Sequence, residues 1–522
     1  MVERARVRRS APVLLVMALV IAACTLPHDG DDESASAGGP TDVEPTDMEP
    51  EFVVDPDCFG LGSAGAEQRE CGTVQVPLDH DAPGEGTIEV AVVVDESTET
   101  EGAEAPVLLL GGGPGEAMVE TYLTGRDLRQ ETVVGRAIVV MDQRGAGASD
   151  PVLECPDLPA LTFQVYEAGE LDAALDATEA CRDRLADQGV DLDAFNHLAN
   201  ARDVELVRRA LGYEQLNLWG ASYGTQVALL AAQMFPDTVR SVVLSSPVDP
   251  QVNWIEDVGA GYADALQGIA AVCAADAACD EQVGDLRVAI EETVERLDAQ
   301  PEEVTVALPD GATSTRTYAP ARFIAELFNF FYREEYVRVL PALVAQAHAG
   351  DLTPLANAVA PVEHELAGTG SQGMYNSMHC TGESGLMDPE RALANIDDEL
   401  IAEHWFPHVR LGAAVAEVCA RWDVEQLYDP STISLDAEVP TLIVTGELDQ
   451  VSLPRYGQQI HDALPTSHLI EVPQAVHSPL VALFYRGTCG QDIVTDFLDD
   501  PDTAPDAACA GNYTLTLQQG FG

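Results

Sequence analysis

The chain has 522 residues, 88 of them acidic and 26 basic, for a formal net charge of −62; no lysine occurs, so every basic side chain is an arginine. A chain this acidic is repelled by phosphate backbones, which argues against a nucleic-acid partner. Hydrophobic residues make up 46% of it and recur in periodic blocks, which excludes disorder as its general state.

The N-terminus reads as an address. Arg4, Arg6, Arg8 and Arg9 precede a mostly apolar run over 11–23, too short to span a bilayer but suited to a signal-peptide core. The run ends Ile21-Ala22-Ala23-Cys24, which resembles a bacterial lipoprotein cleavage box. Residues 1–23 are therefore expected to be removed, and Cys24 to become a lipidated N-terminus on the outer face of the cell membrane; an ordinary secretory signal, and so a secreted protein, is the alternative. Residues 24–50 carry no apolar period and are rich in Pro, Gly, Asp and Glu, as an acidic tether would be.

Cysteine usage points to the same compartment. Setting Cys24 aside leaves ten of the 11 cysteines, an even number in a chain expected to be exported. They fall into local couples: Cys58 with Cys71, Cys155 with Cys181, Cys273 with Cys279, Cys380 with Cys419, and Cys489 with Cys509. Spacing alone does not fix connectivity. No C-x-x-C pair is present, so a zinc site is not expected.

Past residue 50, runs 70–80 and 86–95 read as two strands joined by a Pro/Gly turn. Four buried strands follow at 105–115, 136–145, 216–222 and 239–248, and two more at 439–449 and 467–473. Helical patterns at 203–211, with Asp203 as cap, and at 223–235 lie between them. Apolar strands alternating with helices imply a mostly parallel sheet covered by helices on both faces. From 251 to 435 the alternation stops. Helix-like spacing occurs at 260–273, 281–298, 320–349, 389–402 and 409–427, as expected of a helical lid inserted between sheet strands. The core is thus expected in two parts, 51–250 and 436–522.

Gly220-Ala221-Ser222-Tyr223-Gly224 is the chain's one G-x-S-x-G match. An apolar strand leads into it and an apolar helix leads out, the setting in which a serine is held on a sharp turn above a sheet. A serine hydroxyl needs a base to take its proton, and the base needs an acid to orient it. In chain order after Ser222, Asp449 and His477 both stand at C-terminal ends of strands, where open α/β sheets place their sites. Glu447 is the rival acid; His461 and His468 are rival bases with more structural positions, and the other eight histidines have no such placement. Gly111-Gly112-Gly113-Pro114-Gly115 follows an early strand. It offers unobstructed main-chain N–H groups for an oxyanion hole, together with the N–H of Tyr223.

These motifs, with Asp142-Gln143-Arg144-Gly145-Ala146-Gly147-Ala148-Ser149, resemble the proline iminopeptidase and tripeptidyl aminopeptidase family of α/β-hydrolases (serine peptidase family S33). CGTVQVPLDH near the start, GMYNSMHC at 373–380 and the Cys489/Cys509 segment are similar to its secreted, disulfide-bonded actinobacterial branch. The resemblance covers about residues 55–515. It departs at Gly111, where the iminopeptidases usually carry histidine. It implies an α/β-hydrolase fold, oxyanion contacts from Gly113 and Tyr223, and short peptides as substrates, shortened from the N-terminus. It also implies a lid carboxylate that binds the substrate's free amino group; Glu383 is the candidate, with Glu363 and Glu365 behind it. No metal or organic cofactor is required. A carboxylesterase or lipase acting on small acyl esters with the same triad is the alternative, and a catalytically silent binding protein a third. The sequence leaves the oligomeric state open.

Overall fold

In the computed structural model the described residues are 41, 48–61, 68–96, 105–125, 133, 135–156, 158, 170–307, 313–367, 370–409 and 411–519. The expected signal peptide, most of the tether and Cys24 lie outside them.

Nine strands form one sheet: β1 (Phe52–Val54), β2 (Arg69–Pro77), β3 (Thr87–Asp95), β4 (Val107–Leu110), β5 (Ile138–Met141), β6 (Leu216–Ala221), β7 (Val239–Ser245), β10 (Thr441–Gly446) and β11 (Ser467–Val472), in the order β1-β2-β3-β5-β4-β6-β7-β10-β11. β1, β2 and β3 run antiparallel, and β3 meets β5 antiparallel. From β5 to β11 every pairing is parallel. The side chains show why the central strands read as continuous apolar runs. Leu108 and Leu110 of β4 enter one core while Val107 and Leu109 enter the other, and Val139 and Ile138 of β5 divide likewise. Helices cover both faces, so both sets of alternating positions are buried.

The insertion between β7 and β10 forms a third core, built on Tyr262, Phe328, Phe331 and Trp405 among others. It is not wholly helical. β8 (Glu302–Ala307) and β9 (Thr313–Tyr318) make an antiparallel hairpin inside it, where the sequence reading expected no strand. The 320–349 pattern is also broken. Helices Pro320–Asn329, Glu334–Val337 and Leu340–His348 are separated by extended backbone at Arg333 and by a fresh start at Pro341. Proline lacks the N–H that a continuing helix would need, but fits a first turn.

Two other expectations are corrected. β1 was not anticipated, because three half-exposed residues carry no clear alternation. The helix expected from 203 begins at His197, capped by Asn196, whose side chain accepts the Ala199 N–H at 2.9 Å. Asp203 is therefore no cap. It is buried mid-helix, where Arg144 Nε and Nη2 donate to it at 2.8 and 2.7 Å and His80 Nε2 lies 2.8 Å away. Arg144 also donates to the carbonyls of Pro77, Leu78 and Ala194. A fully buried guanidinium has its N–H groups satisfied in this way, which explains the arginine in DQRG without assigning it any chemistry.

In the structure the ten cysteines stand as Cys58–Cys71, Cys155–Cys181, Cys273–Cys279, Cys380–Cys419 and Cys489–Cys509, with Cα–Cα separations from 5.1 to 5.9 Å. Those separations lie inside the range a disulfide spans.

Candidate active site

Ser222 sits between β6 and the helix Tyr223–Met234 at φ 49° and ψ −123°. An L-residue adopts that conformation only at a cost of about 1–3 kcal/mol, held by its surroundings. The holding is visible. The Ser222 N–H donates to Ser245 O at 2.9 Å, and the Thr225 N–H and hydroxyl both donate to Ser222 O, at 2.9 and 2.6 Å. The flanking glycine is dictated by contact, since a Cβ on Gly224 would lie 2.5 Å from the carbonyl oxygens of Leu110 and Gly111. The elbow therefore presses directly on the polyglycine loop.

That loop supplies the opposite wall. A Cβ on Gly112 would stand 3.1 Å from the Ser222 Cβ, and Gly113 has φ +74°, which turns the chain just there. The N–H of Tyr223 opens the helix, where four donors lack intrahelical partners and the helix dipole is positive. Gln143 braces the loop by accepting the Gly115 N–H at 3.2 Å. The buried Asp142 carboxylate accepts from Val119 N (2.9 Å) and Ala148 N (2.7 Å), and burial pushes its pKa up to about 7. A Cβ at Gly111 would stand 2.5 Å from Met118 Cγ, so any larger residue there requires the Met118 side chain to move.

His477 Nδ1 donates to Asp449, with both carboxylate oxygens at 2.9 Å. Asp449 is buried and also accepts the N–H groups of Val451 and Ser452, at 3.0 and 2.8 Å. This fixes the tautomer that leaves Nε2 as the acceptor. The histidine turn is joined to the serine turn through consecutive residues at the C-terminal end of β7. Ser245 O accepts from Ser222 N, while Ser246 Oγ accepts from Ser478 N at 2.9 Å. The rivals are occupied elsewhere. Glu447 accepts the Gln474 N–H at 2.7 Å, His461 pairs with Ser467 Oγ at 2.8 Å, and His468 lies on β11 against Phe497. A hydroxyl on a strained turn, an imidazole tied to a buried carboxylate and main-chain donors at a helix start form the set that acyl transfer needs.

A family model described as the alpha/beta hydrolase fold matches residues 105–481. The chain belongs to the α/β-hydrolase fold family. Among curated relatives, the serine protease Hip1 of Mycobacterium tuberculosis (strain H37Rv) is 25% identical over 467 residues, covering 84% of this chain and 86% of Hip1. The tripeptidyl aminopeptidase of Streptomyces coelicolor is 26% identical over 477 residues, covering 85% and 84%. Carboxylesterase B of M. tuberculosis is 28% identical over 386 residues, covering 69% and 71%. The protein is a serine hydrolase of this family.

In this hydrolase Glu383 stands in a closed cage, fully buried. Its Oε1 accepts from Trp254 Nε1 at 2.5 Å and lies 3.2 Å from His379 Nδ1, while His197 Nε2 lies 3.0 Å from Oε2. Burial alone would raise its pKa, but the two imidazoles override that and hold the carboxyl well below the usual range. The cage borders the elbow: His197 packs on Tyr223 with ring centroids 5.5 Å apart, and the Tyr223 hydroxyl contacts Asn200 and Met378. A substrate ammonium would reach Glu383 only by displacing an imidazole. The side chains of Glu363 and Glu365 lie outside the described residues. His197 and His379 were passed over in sequence. His379 lies inside the GMYNSMHC motif and so carried a signal; His197 carried none, because its role exists only through contact with a turn far along the chain.

Proposed function

We propose that this hydrolase is an exported serine peptidase that shortens peptides from the N-terminus. His477 takes the proton of Ser222 through Nε2, and the hydroxyl oxygen attacks the scissile carbonyl. Asp449 steadies the imidazolium, and the N–H groups of Gly113 and Tyr223 receive the oxyanion. His477 then protonates the leaving amine, and water activated by the same base hydrolyses the acyl-enzyme. The observation that carries this reading is the Asp449–His477 pair, on a turn tied through Ser245 and Ser246 to the strained Ser222 turn.

The choice of peptides rests on two relatives that each cover more than four-fifths of this chain, a serine protease (84%) and a tripeptidyl aminopeptidase (85%). Glu383 is the proposed amine-recognising anion, with the substrate's ammonium taking the place of one imidazole of its cage. The ester reading keeps a place because carboxylesterase B shares 28% identity over a shorter stretch. Export and a lipid anchor at Cys24 belong to the same proposal, supported by five cysteine pairs of a kind that persists in oxidising compartments. Aminoacyl, tripeptidyl and acyl-ester chromogenic substrates assayed side by side test the activity. A tripeptidyl or aminoacyl kcat/KM at least tenfold above that of the best ester is expected; the reverse order gives the protein to the esterases.

A further inference from the structure

The last described segment of the chain lies between two parts of the catalytic apparatus. Residues 513–518 are extended and alternate in burial. Tyr513 packs into the core on one face of the sheet, whereas Leu515 and Leu517 pack into the core of the lid insertion.

Its polar contacts have a clear pattern. On the catalytic side, the Leu515 N–H donates to Gln474 Oε1 at 3.0 Å, three residues before His477. Arg486, just beyond the helix Pro479–Phe484 that follows His477, donates to Thr514 O at 3.2 Å and lies over the Tyr513 ring. On the lid side, Arg338 Nε donates to Thr516 O at 2.8 Å and the Gln518 N–H donates to Arg338 O at 2.8 Å. Arg486 closes the circuit through Glu334 Oε1 at 2.9 Å, a buried carboxylate at the start of the lid helix Glu334–Val337. The turn Phe330–Tyr332, immediately before that helix, is what touches the base. Phe331 O accepts the His477 N–H at 3.1 Å, and the Tyr332 ring stands edge-on to the His477 imidazole with centroids 5.3 Å apart at 74°.

We propose that residues 513–518 are a positioning strap. They clamp the lid turn Phe330–Tyr332 onto His477 and so hold the base in register with Ser222. The strap acts through Gln474, Arg486, Glu334 and Arg338 and touches no reacting atom. Its two inward-facing ends lie in different cores, so lid and base are fixed relative to each other as one piece. Asp449 orients the imidazole from one nitrogen, and the strapped lid turn holds it from the main chain and the ring edge. Alignment of a base within a fraction of an ångström is worth large factors in rate, so loosening this support lowers turnover more than binding.

The inference rests on His477 serving Ser222 as proposed above, and the test separates the two. Native protein, a chain ending at Asn512, Arg486→Met and Arg486→Lys are titrated with a fluorophosphonate to count intact Ser222 sites. They are then assayed on p-nitrophenyl acetate and on an alanyl tripeptide p-nitroanilide. Expected is a fall in kcat per titrated site of at least fivefold on both substrates for the shortened chain and for Arg486→Met. KM should stay within threefold, and Arg486→Lys, which keeps charge and a donor, should retain at least half of native kcat. If the shortened chain does not fold, Arg486→Met decides alone. A kcat per site reduced less than fivefold, or a loss confined to KM, overturns the strap while leaving the triad standing. Failure of the fluorophosphonate to label Ser222 in the native protein overturns both.

Discussion

Replacing Glu383 by glutamine probes the boundary between substrate recognition and architecture. The carboxylate is fully buried and faces three N–H-bearing rings, those of Trp254, His379 and His197. A carboxamide of the same shape replaces one carboxylate oxygen with an NH2, so one acceptor is lost, beside Trp254 and His379 or beside His197, together with the negative charge. Removing one partner from a buried charged cluster costs about 3–5 kcal/mol of stability. The sign with pH follows from the depressed pKa. The carboxylate's contribution is fully present above its unfolded value, near 4.5, and is lost only as pH falls through the lower folded value. On the carboxylate's account, the stability gap between native and variant is therefore constant from pH 5 upwards and narrows only in strong acid. Recognition makes a separate demand. A peptide's α-amino group is mostly cationic at pH 7, and losing a desolvated partner for it costs about 2–5 kcal/mol, roughly thirty- to several-thousand-fold in kcat/KM. The assay is kcat/KM for a free-amine tripeptide anilide, its N-acetylated form and a neutral ester, alongside chemical denaturation at pH 5 and pH 8. Glu383→Gln should lower the ratio of free-amine to acetylated rate by about a hundredfold or more and leave the ester rate within a few fold. An unchanged ratio with all three rates falling together would refute amine recognition and make the cage purely a support for Tyr223.

Ser222→Ala should abolish turnover with the fold retained, a loss of several orders of magnitude read against the circular-dichroism spectrum and melting curve. Asp449→Asn should lower kcat by about a thousandfold or more, because a carboxamide no longer fixes the His477 tautomer; Glu447→Gln should change kcat by less than threefold, since Glu447 only accepts the Gln474 N–H. Arg144→Met leaves the Asp203 carboxylate buried with only His80 beside it, so denaturant titration should show a loss of about 3–5 kcal/mol. Non-reducing peptide mapping should recover Cys380 joined to Cys419, with a free thiol at Cys380 as the contrary result, and mass spectrometry of the N-terminus should find Cys24 acylated.

The strands, the elbow and its partners were legible because each is written in local chemistry. β4, β5, β6, β7 and β10 are short, mostly apolar runs buried on both faces, and G-x-S-x-G, polyglycine, Asp449 and His477 each stand at or just past the end of a strand, where the chain turns. Asp203 shows where that legibility stops. Its sequence context suits a helix cap, but what decides its place is the buried guanidinium of Arg144, from a loop distant in the chain. The β8–β9 hairpin was missed for a similar reason: its exposed outer positions give weak alternation, and its inner residues Val304 and Val306 find their partners in the core of the insertion between β7 and β10. The cage around Glu383 draws on residues 197, 254, 379 and 383, and the strap joins 334, 338, 474, 486 and 513–518; beyond the i,i+4 steps 379/383 and 334/338, neither has a period or spacing to read. Composition, hydrophobic period and turn chemistry act between near neighbours, and so the sequence by itself determined the elements and the order of the triad. Burial of charge is settled only when distant segments exclude water together, and so tertiary structure alone decided which acids and histidines meet.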